Sequence, residues 1–162
     1  MHQILKDTVY ENWDQLHNRI ANFIYTPKVG ERKDDDFING QSNKIKGDIF
    51  EQFCYFFLSY YKDVYDLDEL WCDAVPNRSI PESFRGENTK YKLRSRDEGT
   101  DIVAIYKGSI KHIAFQCKFR SDINARIDND ELRTFWTESQ YFEARRILTS
   151  TRHLNRENTE LW

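Results

Sequence analysis

At 162 residues the chain has the length of one domain, and folding at that size buries roughly 70% of the surface an unfolded chain exposes. An apolar share of 39%, of which aromatic residues make up 15 percentage points, supplies a core and excludes a chain disordered through most of its length. The 24 basic and 27 acidic residues leave a net charge of −3, which does not advertise a nucleic-acid binder but leaves room for a local basic strip that grips phosphate.

Residues 9–25 place Trp13, Leu16, Ile20, Phe23 and Ile24 at spacings of three and four, the pattern of an amphipathic helix. The polar stretch 26–41, with its run Asp34-Asp35-Asp36, reads as an exposed loop. A second helix is predicted over 42–60, capped by Ser42 or Asn43 and carrying Phe50, Phe53, Cys54, Phe57 and Leu58. Residues 69–75 read as a short strand, and 76–100, with Pro76, Pro81, Gly86 and Gly99, as a polar loop free to move. Two strands follow, 101–106 and 110–119, joined as a hairpin by Lys107-Gly108-Ser109. A helix is predicted over 129–142 and a last strand over 146–151. The order implies one α/β domain, a mixed central sheet flanked by helices: an N-terminal helix and loop over 1–41, a core over 42–151 and a tail over 152–162. The chain stops soon after its last strand, as an excised module or a small compact protein would.

Cys54, Cys72 and Cys117 are odd in number and sit among apolar neighbours, so they read as core thiols of an intracellular protein rather than as a disulfide framework or a zinc site. No basic-then-apolar leader opens the chain, and the longest apolar run, 53–58, is far short of the ~20 residues of a membrane span. His2, His17, His112 and His153 lack metal-ligand spacing and a nucleophile partner, and there is no phosphate-cradling glycine loop.

Residues two apart in a strand share a face, so Gln116 and Lys118 project side by side about 6.6 Å apart along the backbone, while Ile113, Phe115, Cys117 and Phe119 project the other way. One face is apolar and the other ends in an amide and an ammonium. A hairpin turning at Gly108 brings Asp101 approximately opposite Gln116, with an uncertainty of one or two residues set by the turn.

The run Gly99-Thr100-Asp101-Ile102-Val103-Ala104, followed by Phe115-Gln116-Cys117-Lys118-Phe119 and preceded by Lys46-Gly47-Asp48-Ile49-Phe50-Glu51, resembles the PD-(D/E)xK nuclease superfamily, in particular its Mrr-like branch. The resemblance covers roughly 42–151 and is to the nuclease domain that opens single-chain type I restriction enzymes and related helicases. It implies a restriction-endonuclease-like fold, with Asp101, Gln116 and Lys118 as the catalytic core and Glu51 assisting from the helix. Thr100 stands where the motif has proline, and Gln116 where it has an acidic residue, a replacement that Mrr-like members share.

The implied chemistry is phosphodiester hydrolysis with Mg²⁺, or Mn²⁺ in its place, held by hard oxygens. Asp101 supplies the carboxylate, Gln116 an amide oxygen, Cys117 its backbone carbonyl, and Glu51 holds a metal-bound water or a second ion. The Lys118 ammonium orients water and neutralises charge growing on the phosphate. DNA is the implied partner, with a helicase, translocase or methyltransferase domain in a larger protein and a homodimer for double-strand cleavage. The implied setting is restriction or viral and mobile-element DNA processing, in the cytoplasm or, in a eukaryote, in the nucleus.

Lys90, Lys92, Arg94 and Arg96, interleaved with Tyr91, are candidate DNA-backbone contacts, as are Lys44 and Arg120. Two other readings use the same residues. A non-cleaving binding module on a nuclease scaffold suits the Gln116 replacement and the net negative charge, and an RNA-directed nuclease suits the same catalytic set.

Overall fold

A computed structural model describes residues 1–7, 12–94, 99–151 and the backbone of 153–154. Arg96, residues 9–11 of the first expected helix, and almost all of the 152–162 tail lie outside the described residues.

Helix α1 (Gln3–Asp7) was not expected from the sequence; it packs Leu5 against Leu16, Ile20 and Ile49. Helix α2 (Trp13–Ala21) begins at a reciprocal cap, in which Asn12 accepts from Gln15 N–H and the Gln15 side chain accepts from Asn12 N–H. It ends at Asn22, so Phe23 and Ile24 fall outside the helix and Ile24 is 72% exposed.

Helix α3 (Asp35–Tyr60) starts seven residues before the expected 42. The acidic run read as a loop is its cap. Asp34 Oδ1 accepts from Phe37 N–H at 3.0 Å, and Asp35 and Asp36 sit in the first turn, where negative charge meets the positive end of the helix dipole. Ser42, expected as the cap, is buried inside the helix, donating to Ile38 O and accepting from Tyr25 N–H.

The four-stranded sheet runs β1–β2–β3–β5, with β1 (Leu67–Cys72), β2 (Ile102–Tyr106), β3 (His112–Lys118) and β5 (Ala144–Thr149). β1, β2 and β3 are antiparallel neighbours and β5 adds parallel to β3, so the sheet is mixed. The β2–β3 hairpin turns through Gly108, whose φ of +66° suits glycine. A two-stranded patch pairs β4 (Arg126–Ile127) with β6 (His153–Leu154). Helix α4 (Asn129–Glu138) is shorter than the expected 129–142, because the chain turns at Ser139, whose Oγ donates to Phe135 O.

Two cores sandwich the sheet. On one face Ile102, Ala104, Ile113, Phe115 and Cys117 pack against Phe50, Cys54, Tyr55 and Leu58 of α3. On the other, Val103, Ala114 and Ile147 pack against Leu132 and Phe135 of α4. The segment expected as a free polar loop belongs to that second core: Ile80, Phe84, Tyr91 and Leu93 are buried, a 3-10 turn spans Glu82–Phe84, and Arg85 bridges to Leu93. Its apolar residues are too widely spaced for either a helical or a strand period.

Candidate active site

The β2–β3 register pairs Ile102 with Phe115 and Val103 with Ala114. Asp101 stands just before β2, and its N–H donates at 2.9 Å to the carbonyl of Phe115, the residue paired with Ile102. Because Ala114 faces α4, Gln116 and Lys118, of the same parity on β3, project to that face, while Asp101 is tied to β3 through its own backbone and side chain. Phe115, Cys117 and the partly buried Phe119 point to the α3 side, as the alternation predicted.

Asp101 is half-buried and anchored. Its Oδ2 accepts from the Cys117 backbone N–H at 2.5 Å, which fixes the carboxylate against the peptide joining Gln116 to Cys117. The approach to it is set by Gly99, which has φ +78° and no room for a side chain: a Cβ there would stand 3.0 Å from the Phe135 backbone nitrogen in α4. The reading of Gly99 as a loop residue missed this contact, which depends on where α4 lies.

Gln116 is buried, 5% exposed, and its Oε1 has no hydrogen-bond partner. A buried acceptor left without a donor costs about 1–3 kcal/mol. An electron-poor ligand at that oxygen would recover it. Thr100 Oγ1, one residue before Asp101, is likewise buried without a partner.

Burial lowers the Lys118 pKa below that of an ordinary lysine, and the charge of Arg120 lowers it further, while the Asp101 and Glu51 carboxylates favour the ammonium. Glu51 is half-buried on α3. Burial pushes the Cys117 thiol up most, the neighbouring Cys54 next, and the same two carboxylates add to it. Cys54, Cys72 and Cys117 are all buried free thiols, as expected.

Among the described residues no three His, Cys, Asp or Glu side chains gather as a metal-binding group. A cation would therefore draw on oxygens of other types, and the buried, unpartnered Gln116 Oε1, with the Asp101 carboxylate held by the N–H of the next residue, fits a hard divalent ion.

The backbone just past Lys118 is clamped. His17 Nε2 donates to Arg120 O at 2.9 Å, and Ser150 Oγ accepts from Arg120 N–H at 2.8 Å and donates back to its carbonyl at 3.2 Å. The Arg120 guanidinium meets the Glu131 carboxylate in the first turn of α4. His17, Ser150 and Glu131 were not picked out from the sequence. Only the helical spacing of His17 from Trp13 hinted that it faces inward.

The basic residues are scattered. Lys44 is exposed on α3 and, seven residues before Glu51, lies on the same side of the helix. Arg94 is ion-paired with Glu138, and the exposed Lys92 lies over the Tyr141 ring. Lys90 bonds Glu143 and Tyr91 Oη beside His112, at the opposite end of β3 from Lys118.

Residues 82–161 match a family model described as restriction endonuclease, of the Mrr catalytic type, a span that includes Asp101, Gln116 and Lys118 but not Glu51. No curated protein and no solved structure matches the chain.

Proposed function

Since residues 82–161 belong to a restriction endonuclease family on a restriction-endonuclease-like fold, we propose that this nuclease is a divalent-metal-dependent endonuclease that hydrolyses DNA phosphodiester bonds, with Asp101, Gln116, Lys118 and Glu51 as its catalytic residues. The observation that carries the reading is the bond from the Cys117 N–H to the Asp101 carboxylate, which ties the acid to the strand bearing Lys118 and the buried, unpartnered amide oxygen of Gln116.

Asp101, Gln116 Oε1, the Cys117 carbonyl and Glu51 would hold Mg²⁺, or Mn²⁺ in its place. The ion supplies charge neutralisation on the phosphate and an acidified water. Asp101 contributes a carboxylate already oriented by the Cys117 N–H, so little rearrangement is needed when substrate arrives. Lys118 sits within the influence of both acids, and its ammonium orients the attacking water and offsets the charge that grows in the transition state. Arg120, Lys44, Lys92 and Arg94 contact the DNA backbone. Lys90 is the weakest of that set because it is engaged with Glu143 far from Lys118. Such a domain suits restriction or mobile-element DNA processing, beside a translocase or methyltransferase.

The test is plasmid nicking with Mg²⁺ or Mn²⁺ by the wild type, Asp101→Ala and Lys118→Ala, run beside an RNA substrate. Loss of cleavage in both variants upholds the reading. Equal cleavage by all three proteins points to a contaminant, and salt-sensitive DNA retention without turnover in the wild type points to a binding module instead.

A further inference from the structure

The α3 face of the sheet holds a cavity of about 360 Å³ that the nuclease reading does not use. Its walls include Phe57, Leu58, Leu67, Phe115 and Leu148, with Tyr65 and Tyr106 also lining it. Small-molecule sites usually measure roughly 300–1,000 Å³, with mostly apolar walls and a few polar groups that set orientation.

The polar group here is Arg146. It pairs with Phe115 across β3–β5, so it projects to the apolar face between Ala144 and Leu148, both of which pack on the α3-side core. The side chain is half-buried, its Nη1 donates to the carbonyl of its neighbour Arg145 at 2.9 Å, and no carboxylate pairs with it among the described residues. A cation drawn partly out of water onto an apolar face is costly unless an anion meets it, and a guanidinium meets carboxylate or phosphate best. The cavity is also distinct from the catalytic residues: Gln116 and Lys118 project to the opposite face of β3, and none of Asp101, Gln116, Lys118 and Glu51 lines it.

We infer that this cavity binds a small amphipathic anion, its apolar body against Phe57, Leu67, Phe115 and Leu148 and its carboxylate or phosphate on Arg146. The inference stands apart from the nuclease reading, since it uses none of the catalytic residues.

The test titrates the whole protein with decanoate, decyl phosphate and the neutral decanol, following affinity by calorimetry and position by backbone amide shifts. Saturable binding of either anion, shifting the amides of Tyr106, Ile113 and Leu148, is expected, and the stronger of the two identifies the headgroup. Arg146→Gln should weaken the anion by roughly tenfold or more while leaving decanol unchanged, the scale of a lost charge-assisted hydrogen bond. Leu148→Trp, checked by circular dichroism for an intact fold, should fill the cavity and abolish binding. Failure of both anions to bind, binding of decanol as tight as theirs, indifference to Arg146→Gln, or shifts centred on Asp101 and Lys118 would each overturn the inference. DNA cleavage by Arg146→Gln should match the wild type.

Discussion

The backbone N–H of Cys117 donates to the Asp101 carboxylate at 2.5 Å, so the strand that carries Gln116 and Lys118 also orients the acid opposite them. An asparagine at 101 keeps an oxygen able to accept this bond but loses the charge. Asp101→Asn should therefore unfold close to the wild-type urea midpoint, whereas Asp101→Ala, which strands the N–H, should lose about 1–2 kcal/mol. Both should lose cleavage, by roughly a hundredfold or more, because the charge rather than the hydrogen bond serves the reaction. Wild-type nicking by Asp101→Asn would remove residue 101 from the chemistry.

Gly99 is a second structural constraint on the same acid. Its φ of +78° disfavours any side chain, and α4 backbone atoms lie 3.0–3.2 Å from where a Cβ would be. Gly99→Ala should cost roughly 1–3 kcal/mol in urea unfolding and lower cleavage as Asp101 shifts. An unchanged midpoint would mean that α4 yields at Phe135 without penalty.

The site's strands were legible because a period of two survives local reading: Ile113, Phe115 and Cys117 could only go one way, and counting outward from Gly108 anticipated the hairpin register, which pairs Ile102 with Phe115, to within one residue. The start of α3 was not legible, because an aspartate run before Phe37 has the same composition whether it caps a helix or fills a loop, and Gly40 and Gly47 dilute the helical signal. What decides it is the bond from Phe37 N–H to Asp34, a matter of three-dimensional geometry. Likewise, nothing local announces that Arg120 meets Glu131, or that His17 reaches across 103 positions to its carbonyl. The buried aromatic residues of 80–93 were missed for another reason: they pack singly against Phe142 and the sheet, with no period to detect.

Gln116→Glu restores the acid of the general motif and should expose the role of the unpartnered oxygen. A carboxylate buried there, next to Asp101, would have its pKa raised by desolvation and like charge. The sign follows: a raised folded pKa for an acid leaves stability intact at low pH and removes it as pH rises through that value. Melting of Gln116→Glu without metal should thus fall relative to wild type more at about pH 8 than at about pH 5.5, and Mn²⁺ should restore it more than it stabilises the wild type. A Mn²⁺ response no larger than the wild type's would argue that residue 116 is not a ligand.

Lys118 should set the alkaline edge of activity. Burial holds its pKa below the ordinary lysine value. If the ammonium is the working form, cleavage should decline with rising pH before an ordinary lysine would lose its proton, and Lys118→Arg, which stays charged, should move that decline to higher pH even if its rate is lower. Stability moves the opposite way. A lysine whose folded pKa is depressed folds against the cost of its own charge at low pH, and that cost is relieved as pH climbs from the folded toward the unfolded value. Between those two values, then, wild-type cleavage should fall while this residue's contribution to stability improves, a divergence absent from Lys118→Met. Paired cleavage and urea-unfolding profiles would read it, and parallel loss of both in the wild type would assign the decline to unfolding rather than to Lys118.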